Sequence, residues 1–356
     1  MSNIDDPFFF YSENFPKTLK KIKATLVFST YQAGKLIFIS SLNGKTIIKY
    51  AKGFKRPMGI AVDTKMKLAV ASRTSINVFA SNKALALSYP EKKKRYDQLF
   101  IPQVKYHTGY LDTHEIEFGE ENELYFINTM FSCISKVSAE KHFEMYWKPD
   151  FITELLPEDR CHLNGMAMKN GKPAYVTMFD STNTSFGWKK TPKETGLLIE
   201  VDTGKILLDQ LAMPHSPVYF DDKIYFLLSG TGEIKCYDLK SEQVTLISKI
   251  DSFLRGLIVY DDFLIVGTSK LREKTTTFKG LPFSSEDSYC GIYILNRATG
   301  KPMGGISYTN KIREIFSLKL LFDVQVPGIL IENDEYHNKS IMADPNLNFW
   351  IKQKKK

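Results

Sequence analysis

One strand-opening unit recurs along the chain, and it limits the available folds more than any single motif does. Pro57-Met58-Gly59-Ile60-Ala61-Val62 is followed by a turn and Lys67-Leu68-Ala69-Val70. His114-Glu115-Ile116-Glu117-Phe118 leads to Glu123-Leu124-Tyr125-Phe126. His162-Leu163-Asn164-Gly165-Met166-Ala167-Met168 leads to Pro173-Ala174-Tyr175-Val176, and His215-Ser216-Pro217-Val218-Tyr219-Phe220 to Lys223-Ile224-Tyr225-Phe226. Arg255-Gly256-Leu257-Ile258-Val259 leads to Phe263-Leu264-Ile265-Val266, and a weaker copy runs from Thr25-Leu26-Val27-Phe28-Ser29 to Lys35-Leu36-Ile37-Phe38. Short apolar or alternating runs closed by Gly, Asp and Asn turns are strand signals, so the chain is all-β. The units begin near 26, 58, 114, 162, 215 and 255, at intervals of 32, 56, 48, 53 and 40 residues. These bracket the ~40–50 residues of a propeller blade.

Six units predict a six-bladed β-propeller, with Lys311 to Gln325 returning as a strand that closes the ring. A seventh blade would follow if Ile312-Arg313-Glu314-Ile315-Phe316 opened another. A β-sandwich pair explains strands but not the recurring unit. Helical stretches are few; Thr153 to Glu158 would make one turn. No linker rich in Pro, Gly or Ser interrupts the chain, which reads as an N-terminal extension (1–14), one propeller domain (15–345) and a basic tail (346–356).

No apolar run approaches the ~18 residues of a spanning helix. The N-terminus, Met1-Ser2-Asn3-Ile4-Asp5-Asp6, is acidic where a signal peptide is basic, and Phe8-Phe9-Phe10-Tyr11 is too short for a signal core. The expectation is a soluble cytoplasmic protein. The formal net charge of +8 raises the question of nucleic acid. Lys92, Lys93, Lys94 and Arg95, with Lys352, Lys354, Lys355 and Lys356, account for the whole excess. No basic stripe is left over, so these clusters read as solvated features and nucleic acid is not an expected partner. The four cysteines, Cys133, Cys161, Cys236 and Cys290, are far apart with no CxxC, which suits a reducing compartment.

Only six histidines occur: His107, His114, His142, His162, His215 and His337. His114, His162 and His215 each stand just before the first strand of a repeat, so equivalent positions in successive blades would bring them together at one end of the channel. Neutral imidazoles suit a divalent transition metal, whether Fe, Zn, Mn or Cu, and three protein ligands leave coordination positions open, as in catalytic sites. Without a metal, the same residues would hydrogen-bond carbonyls or water in a wet channel. Asp112, Glu115 and Asn164 lie close in sequence and would orient the imidazoles, with Glu115 or Asp112 also available as a base. His107 is a candidate fourth ligand or a loop residue; His142 and His337 read as surface residues. Arg255 takes the histidine's place in the next repeat and Arg56 opens the second. Each would hold a substrate anion, with Asn164 beside them, or Arg255 would pair with Glu314. Cys161, adjacent to His162, reads as buried and inert.

These stretches resemble an uncharacterised bacterial family of propeller-like proteins, a domain of unknown function. The resemblance is carried by Tyr31-Gln32-Ala33-Gly34-Lys35-Leu36, Arg56-Pro57-Met58-Gly59, Asp112-Thr113-His114-Glu115 and Asp159-Arg160-Cys161-His162-Leu163-Asn164-Gly165. It continues through Met213-Pro214-His215-Ser216-Pro217, Ser229-Gly230-Thr231-Gly232, Arg255-Gly256 and Gly280-Leu281-Pro282. It implies a propeller and no particular activity. More distantly the histidines look like those of propeller enzymes that hold a metal on inward imidazoles, such as peptide-amidating lyases, oligogalacturonate lyases and carotenoid oxygenases. Three functions therefore compete. The first is a metal-dependent lyase, isomerase or oxygenase acting on a small molecule, peptide or sugar. The second is a non-catalytic module for a glycan, peptide or partner protein. The third, a calcium lactonase-like propeller, needs inward oxygen ligands, and only Asn164 stands near such a place.

Overall fold

Six small antiparallel sheets make up most of the computed structural model, which describes residues 8–351 apart from 272–277, 279, 287, 310 and 345–346. Numbered from the ring closure, blade 1 runs from channel to rim as Leu318–Phe322, Ala24–Thr30, Lys35–Ser40 and Ile48–Gly53. Blade 2 is Ile60–Val62, Leu68–Ser72, Ser75–Asn82 and Gln98–His107, with Pro327–Ile329 added in parallel at its rim. Blade 3 is Thr113–Phe118, Leu124–Asn128, Cys133–Lys136 and Glu144–Trp147; blade 4 is Leu163–Lys169, Lys172–Met178, Gly196–Glu200 and Ile206–Leu211. Blade 5 is Pro214–Phe220, Lys223–Leu228, Glu233–Asp238 and Val244–Lys249. Blade 6 is Phe253–Tyr260, Phe263–Ser269, Cys290–Asn296 and Pro302–Tyr308, with Phe9–Tyr11 as a fifth strand. The first strand of every blade touches the first strand of the next, so the six close a ring.

Six blades and closure by a C-terminal strand agree with the sequence reading, and among the described residues no seventh blade forms. One expectation is corrected. The unit near residue 26 does not open an inner strand: Ala24–Thr30 is second in its blade, paired on its channel side with Leu318–Phe322. The apolar run Leu26-Val27-Phe28 looked like an opener because second strands are buried on both faces. Thr153 to Glu158 is irregular, whereas an unforeseen helix covers Asn14–Ile22. Its Phe15, Leu19 and Ile22, spaced four and three residues apart, enter the core between blades 6 and 1.

The blades pack through the two-residue period of the strand. In Leu124–Asn128, Leu124 and Phe126 face blade 2, while Tyr125 and Ile127 face blade 4. Such double burial produces the continuous apolar runs seen in the sequence. Near the axis the blades approach so closely that side chains must be absent. A Cβ on Gly165 would stand 2.4 Å from Pro217 Cδ of blade 5 and 2.4 Å from Thr177 Oγ1. Gly165→Ala is therefore expected to cost about 1–3 kcal/mol by overpacking, read from a urea melt with an unchanged m-value.

Candidate functional site

The channel widens at one end into a cavity of about 300 Å³ lined by His114, His162, His215, Arg255, Asp112 and a wall of aromatic rings. Behind the imidazoles it narrows to a space of about 20 Å³, the size of one water, edged by Glu115, Asn164, Ser216 and Gly256. Beyond that neck the opposite mouth opens to about 800 Å³, with Glu117 and Lys319 paired in its wall.

Strand register fixes what reaches the cavity. Thr113, Leu163, Pro214 and Leu254 pair with Asn128, Met178, Leu228 and Thr268 of the second strands. The residues that follow them, His114, Asn164, His215 and Arg255, are therefore equivalent. His114 and His215 share a position, as the repeat predicts, and Arg255 holds it in the next blade. His162 does not: it stands two residues earlier, where φ is +51°, matching Asp112 (+51°) and Met213 (+53°). The sequence copies start with histidine in each case, but blade 4 enters its strand later. Asn164 takes the shared place, accepting from Thr177 Oγ1 (2.8 Å) and donating to the His162 carbonyl (3.2 Å), and it faces the neck rather than the cavity.

Hydrogen bonding sets the tautomer of each imidazole. His114 Nδ1 lies 2.9 Å from the Asp112 carbonyl and 2.8 Å from Thr129 Oγ1. A carbonyl only accepts, and Thr129 spends its own proton on the Leu163 carbonyl (2.7 Å), so Nδ1 carries the hydrogen. His215 repeats this with the Met213 carbonyl (3.1 Å) and Ser229, whose hydroxyl donates to the Leu254 carbonyl (2.6 Å). His162 Nδ1 sits 3.1 Å from both oxygens of Asp159, whose Oδ2 also accepts from Trp188 Nε1 (3.0 Å). All three rings thus keep Nε2 as a lone pair. Burial pushes the His114 pKa down to about 3 and, with the nearby Arg255, holds His215 well below the usual histidine range.

Arg255 is fixed from three sides. Its Nη2 is 3.4 Å from His215 Nε2, its Nη1 is 3.5 Å from Glu314 Oε1, and its guanidinium lies 4.1 Å from the centre of the Phe316 ring. The ion pair with Glu314 is one of the two roles its sequence position allowed. Phe179 lies between the other groups, with its ring centre 4.6 Å from His162 and 5.0 Å from His215, while the His114 and His162 ring centres are 5.0 Å apart. Among the described residues no three His, Cys, Asp or Glu side chains gather closely enough to hold a metal ion.

Other expected residues fall elsewhere. Glu115 lies behind the imidazoles, accepting from Met166 N (2.9 Å), and burial raises its pKa to about 7; it does not line the cavity. Asp112 does line it, but its carbonyl rather than its carboxylate makes the short contact to His114. Arg56 sits at the rim, donating to Tyr31 Oη (3.3 Å), and Tyr31 itself lines the cavity. His107 is exposed in an outer groove with Lys105, well away from the channel, so it is not a fourth channel ligand. His142 is exposed, whereas His337 is half-buried. Burial raises the Cys161 thiol to about 12, in keeping with an inert residue. Lys92 to Arg95 are exposed, as expected; Lys352–Lys356 lie outside the described residues. Four site residues escaped the sequence reading: Thr129, Asp159, Phe179 and Trp188. Thr129 was within reach, since it follows its strand as Ser229 does. Trp188 was not, because it arrives on the loop between the second and third strands of blade 4.

The fold and site define a six-bladed propeller with one polar, aromatic-walled pocket at the end of its channel. The chain belongs to the family described as a domain of unknown function (DUF4915), whose model matches residues 13–330. No curated protein matches the sequence. Among solved structures it is similar to a chain of the nidogen/laminin complex, at 12% identity and TM-score 0.54, covering 84% of this chain and 99% of that one. It is also similar to a protein of unknown function from Bacteroides caccae, at 10% identity and TM-score 0.52, again covering 84% and 99%. Likeness at this identity speaks to the fold alone. Among the described residues no helix is long and apolar enough to cross a membrane.

Proposed function

We propose that the channel-end pocket binds a small molecule bearing a carboxylate or phosphate, and that His162 acts on it as a general base. One observation carries this reading: the His162–Asp159 pair and the fixed guanidinium of Arg255 open into the same cavity. Arg255 supplies forked donors for an anion. Tyr31, Tyr110, Trp188, Phe253 and Phe316 offer rings to a planar or apolar body. Asp159, itself anchored by Trp188, orients the imidazole and stabilises the positive charge it gains on taking a proton, so Nε2 can receive that proton from a bound substrate. Many eliminations and isomerisations begin with such a proton transfer.

A metal-dependent reading keeps one observation in its favour. All three Nδ1 atoms are tied to oxygen acceptors and leave Nε2 lone pairs, the orientation that metal-bound histidines adopt. A divalent Fe, Zn, Mn or Cu ion would take His114 and His162 first, as their rings are adjacent. Arg255 beside His215 argues against the third ligand, since it adds a positive charge at that nitrogen.

Calorimetry with phenylacetate and phenyl phosphate, together with metal analysis of the purified protein, separates these readings. Native protein and His162→Ala should bind the probes alike and carry no stoichiometric metal. Loss of His162 should then lower turnover of any substrate found by about 10²–10⁴-fold. Near-stoichiometric metal that disappears in His162→Ala would transfer the site to the metal-dependent reading. Probe binding without turnover of any related compound would make the pocket a non-catalytic receptor.

A further inference from the structure

At its rim the channel pocket meets a second space. Tyr31 and Tyr110, which line the pocket, each hold an arginine: the Arg56 guanidinium stands 5.4 Å from the Tyr31 ring centre, and the Arg73 guanidinium 5.6 Å from that of Tyr110. Arg73 sits in the turn between the second and third strands of blade 2. Its backbone N–H donates to the carbonyl of Lys55 (3.2 Å), in the segment that joins blades 1 and 2. Lys55 and Arg73 in turn line the outer groove between those blades, a space of about 950 Å³ that runs outward to His107 on the fourth strand. Pocket and groove therefore meet at the Arg73–Tyr110 pair.

The charges along this path are unbalanced. Lys55, Arg56 and Arg73 are exposed and make no ion pair among the described residues. The carboxylates that line the two spaces are already engaged. Glu332 is paired with Lys105 (2.7 Å), Glu314 with Arg255 (3.5 Å), and Asp112 lies 3.8 Å from His114 Nδ1. Stacking on a tyrosine ring holds a guanidinium in place while leaving most of its N–H donors open to a ligand. Between the cations the groove wall offers neutral hydrogen-bonding side chains, those of Ser72, Thr74, Ser75, Asn77 and Gln103.

We infer that an acidic oligosaccharide, a chain of uronic-acid sugars, binds along this path. Its terminal acid sits on Arg255 in the channel pocket, and the following sugars pass Arg56 and Arg73 into the groove beside Lys55. The inference rests on the anion-binding reading of the channel pocket and extends it from a single acid to a chain. One carboxylate per sugar matches cations spread along a path, and the sugar hydroxyls match the hydroxyl and amide side chains between them. A single-stranded nucleic acid would bring repeated charges too, but it needs free aromatic faces for its bases. Phe54 and Phe79 in the groove pack edge to face on one another (6.1 Å between ring centres), and the exposed Tyr110 ring holds Arg73. An acidic peptide supplies the charges without the hydroxyls.

Calorimetry with uronate oligomers of one to six sugars, in mannuronate, guluronate and glucuronate series, is the test. In at least one series the affinity of native protein should rise at least ~10-fold with chain length, and the hexamer should displace phenylacetate from the pocket. Lys55→Ser/Arg73→Ser should remove that gain while phenylacetate binds as before. Should the double variant melt early, Lys55→Ser alone, which changes one exposed side chain, decides through a loss of at least ~3-fold in hexamer affinity. If phenylacetate binds but no series gains with length, the chain inference falls and the pocket reading stands. If phenylacetate itself does not bind, the pocket reading falls and the chain inference with it. A gain that survives Lys55→Ser/Arg73→Ser would also overturn the inference. So would a hexaglutamate peptide or a thymidine hexanucleotide that binds as tightly as the best uronate hexamer, since the path would then belong to acidic peptides or single-stranded nucleic acid.

Discussion

Replacing Arg255 by methionine is expected to weaken anion binding in the channel pocket and to destabilise the protein at the same time. The stem of methionine fills much of the same space, but the forked donors vanish, and probe affinity should fall about 100-fold. The stability loss has a separate origin. Arg255 and Glu314 are both buried, with 12% and 8% of their side chains exposed, and removing the guanidinium takes a cation away from an enclosed carboxylate. Breaking one half of such a pair costs about 3–5 kcal/mol. The two effects can be parted. Adding Glu314→Gln to Arg255→Met should restore most of the stability in a urea melt and none of the affinity in calorimetry. Arg255→Lys should keep part of the stability yet bind poorly, since an ammonium cannot offer the same fork or lie flat on Phe316. Full affinity in Arg255→Met would remove the guanidinium from the site.

The second large effect is loss of stability in acid. His114 and His215, buried and neutral in the folded protein, regain ordinary basicity on unfolding, so the unfolded chain binds up to two more protons below pH 6.5. Stability must therefore fall as pH drops through that range. Each excess proton contributes about 1.4 kcal/mol per pH unit, or about 2.7 for two. Glu115 acts in the opposite sense. Its folded pKa of about 7 exceeds its ordinary 4.5, so the stabilisation it lends is complete below 4.5 and disappears as pH rises through 7. Between 4.5 and 6.5 the three groups leave a net difference of one proton, and below 4.5 the full two. The curve from these groups should peak near pH 6.5 and steepen below 4.5. Urea midpoints taken across this range test it. Glu115→Gln should flatten the decline above 6.5, and His215→Gln should halve the slope below 4.5; an unchanged acid limb in His215→Gln would show that the imidazole titrates outside the folded core.

The propeller was legible because each blade repeats a strand pair buried on both faces, and six such pairs leave few other closures. The opener near residue 26 misled for the same reason. Nothing local distinguishes a second strand from a first when both are apolar throughout, and only the pairing with Leu318–Phe322 decides. The site was half legible. Repeat position brought out His114, His215 and Arg255, since equal places on adjacent inner strands must face one axis. It overreached at His162, where a two-residue shift in blade 4 puts Asn164 in the shared place. Asp159 and Trp188 could not be read because they come from a loop and a 3-10 turn that belong to no repeat. Charge counting placed Lys92–Arg95 correctly on the surface.

Ring closure also sets a timetable. Ala24–Thr30 is made early, yet its channel-side edge stays open until Leu318–Phe322 emerges; the Thr25 hydroxyl waits 299 residues for the Val324 carbonyl it donates to. At about 5–20 residues per second, that delay is on the order of tens of seconds during synthesis. Throughout it, three hydrogen-bonded strands present an unpaired apolar edge, the kind that templates association with other chains. The last channel strand to be made thus joins three strands that precede every other channel strand. A ribosome stalled between blade 6 and residue 318 would hold a nearly whole propeller with a sticky gap, so correct closure of the ring is decided by Leu318–Phe322.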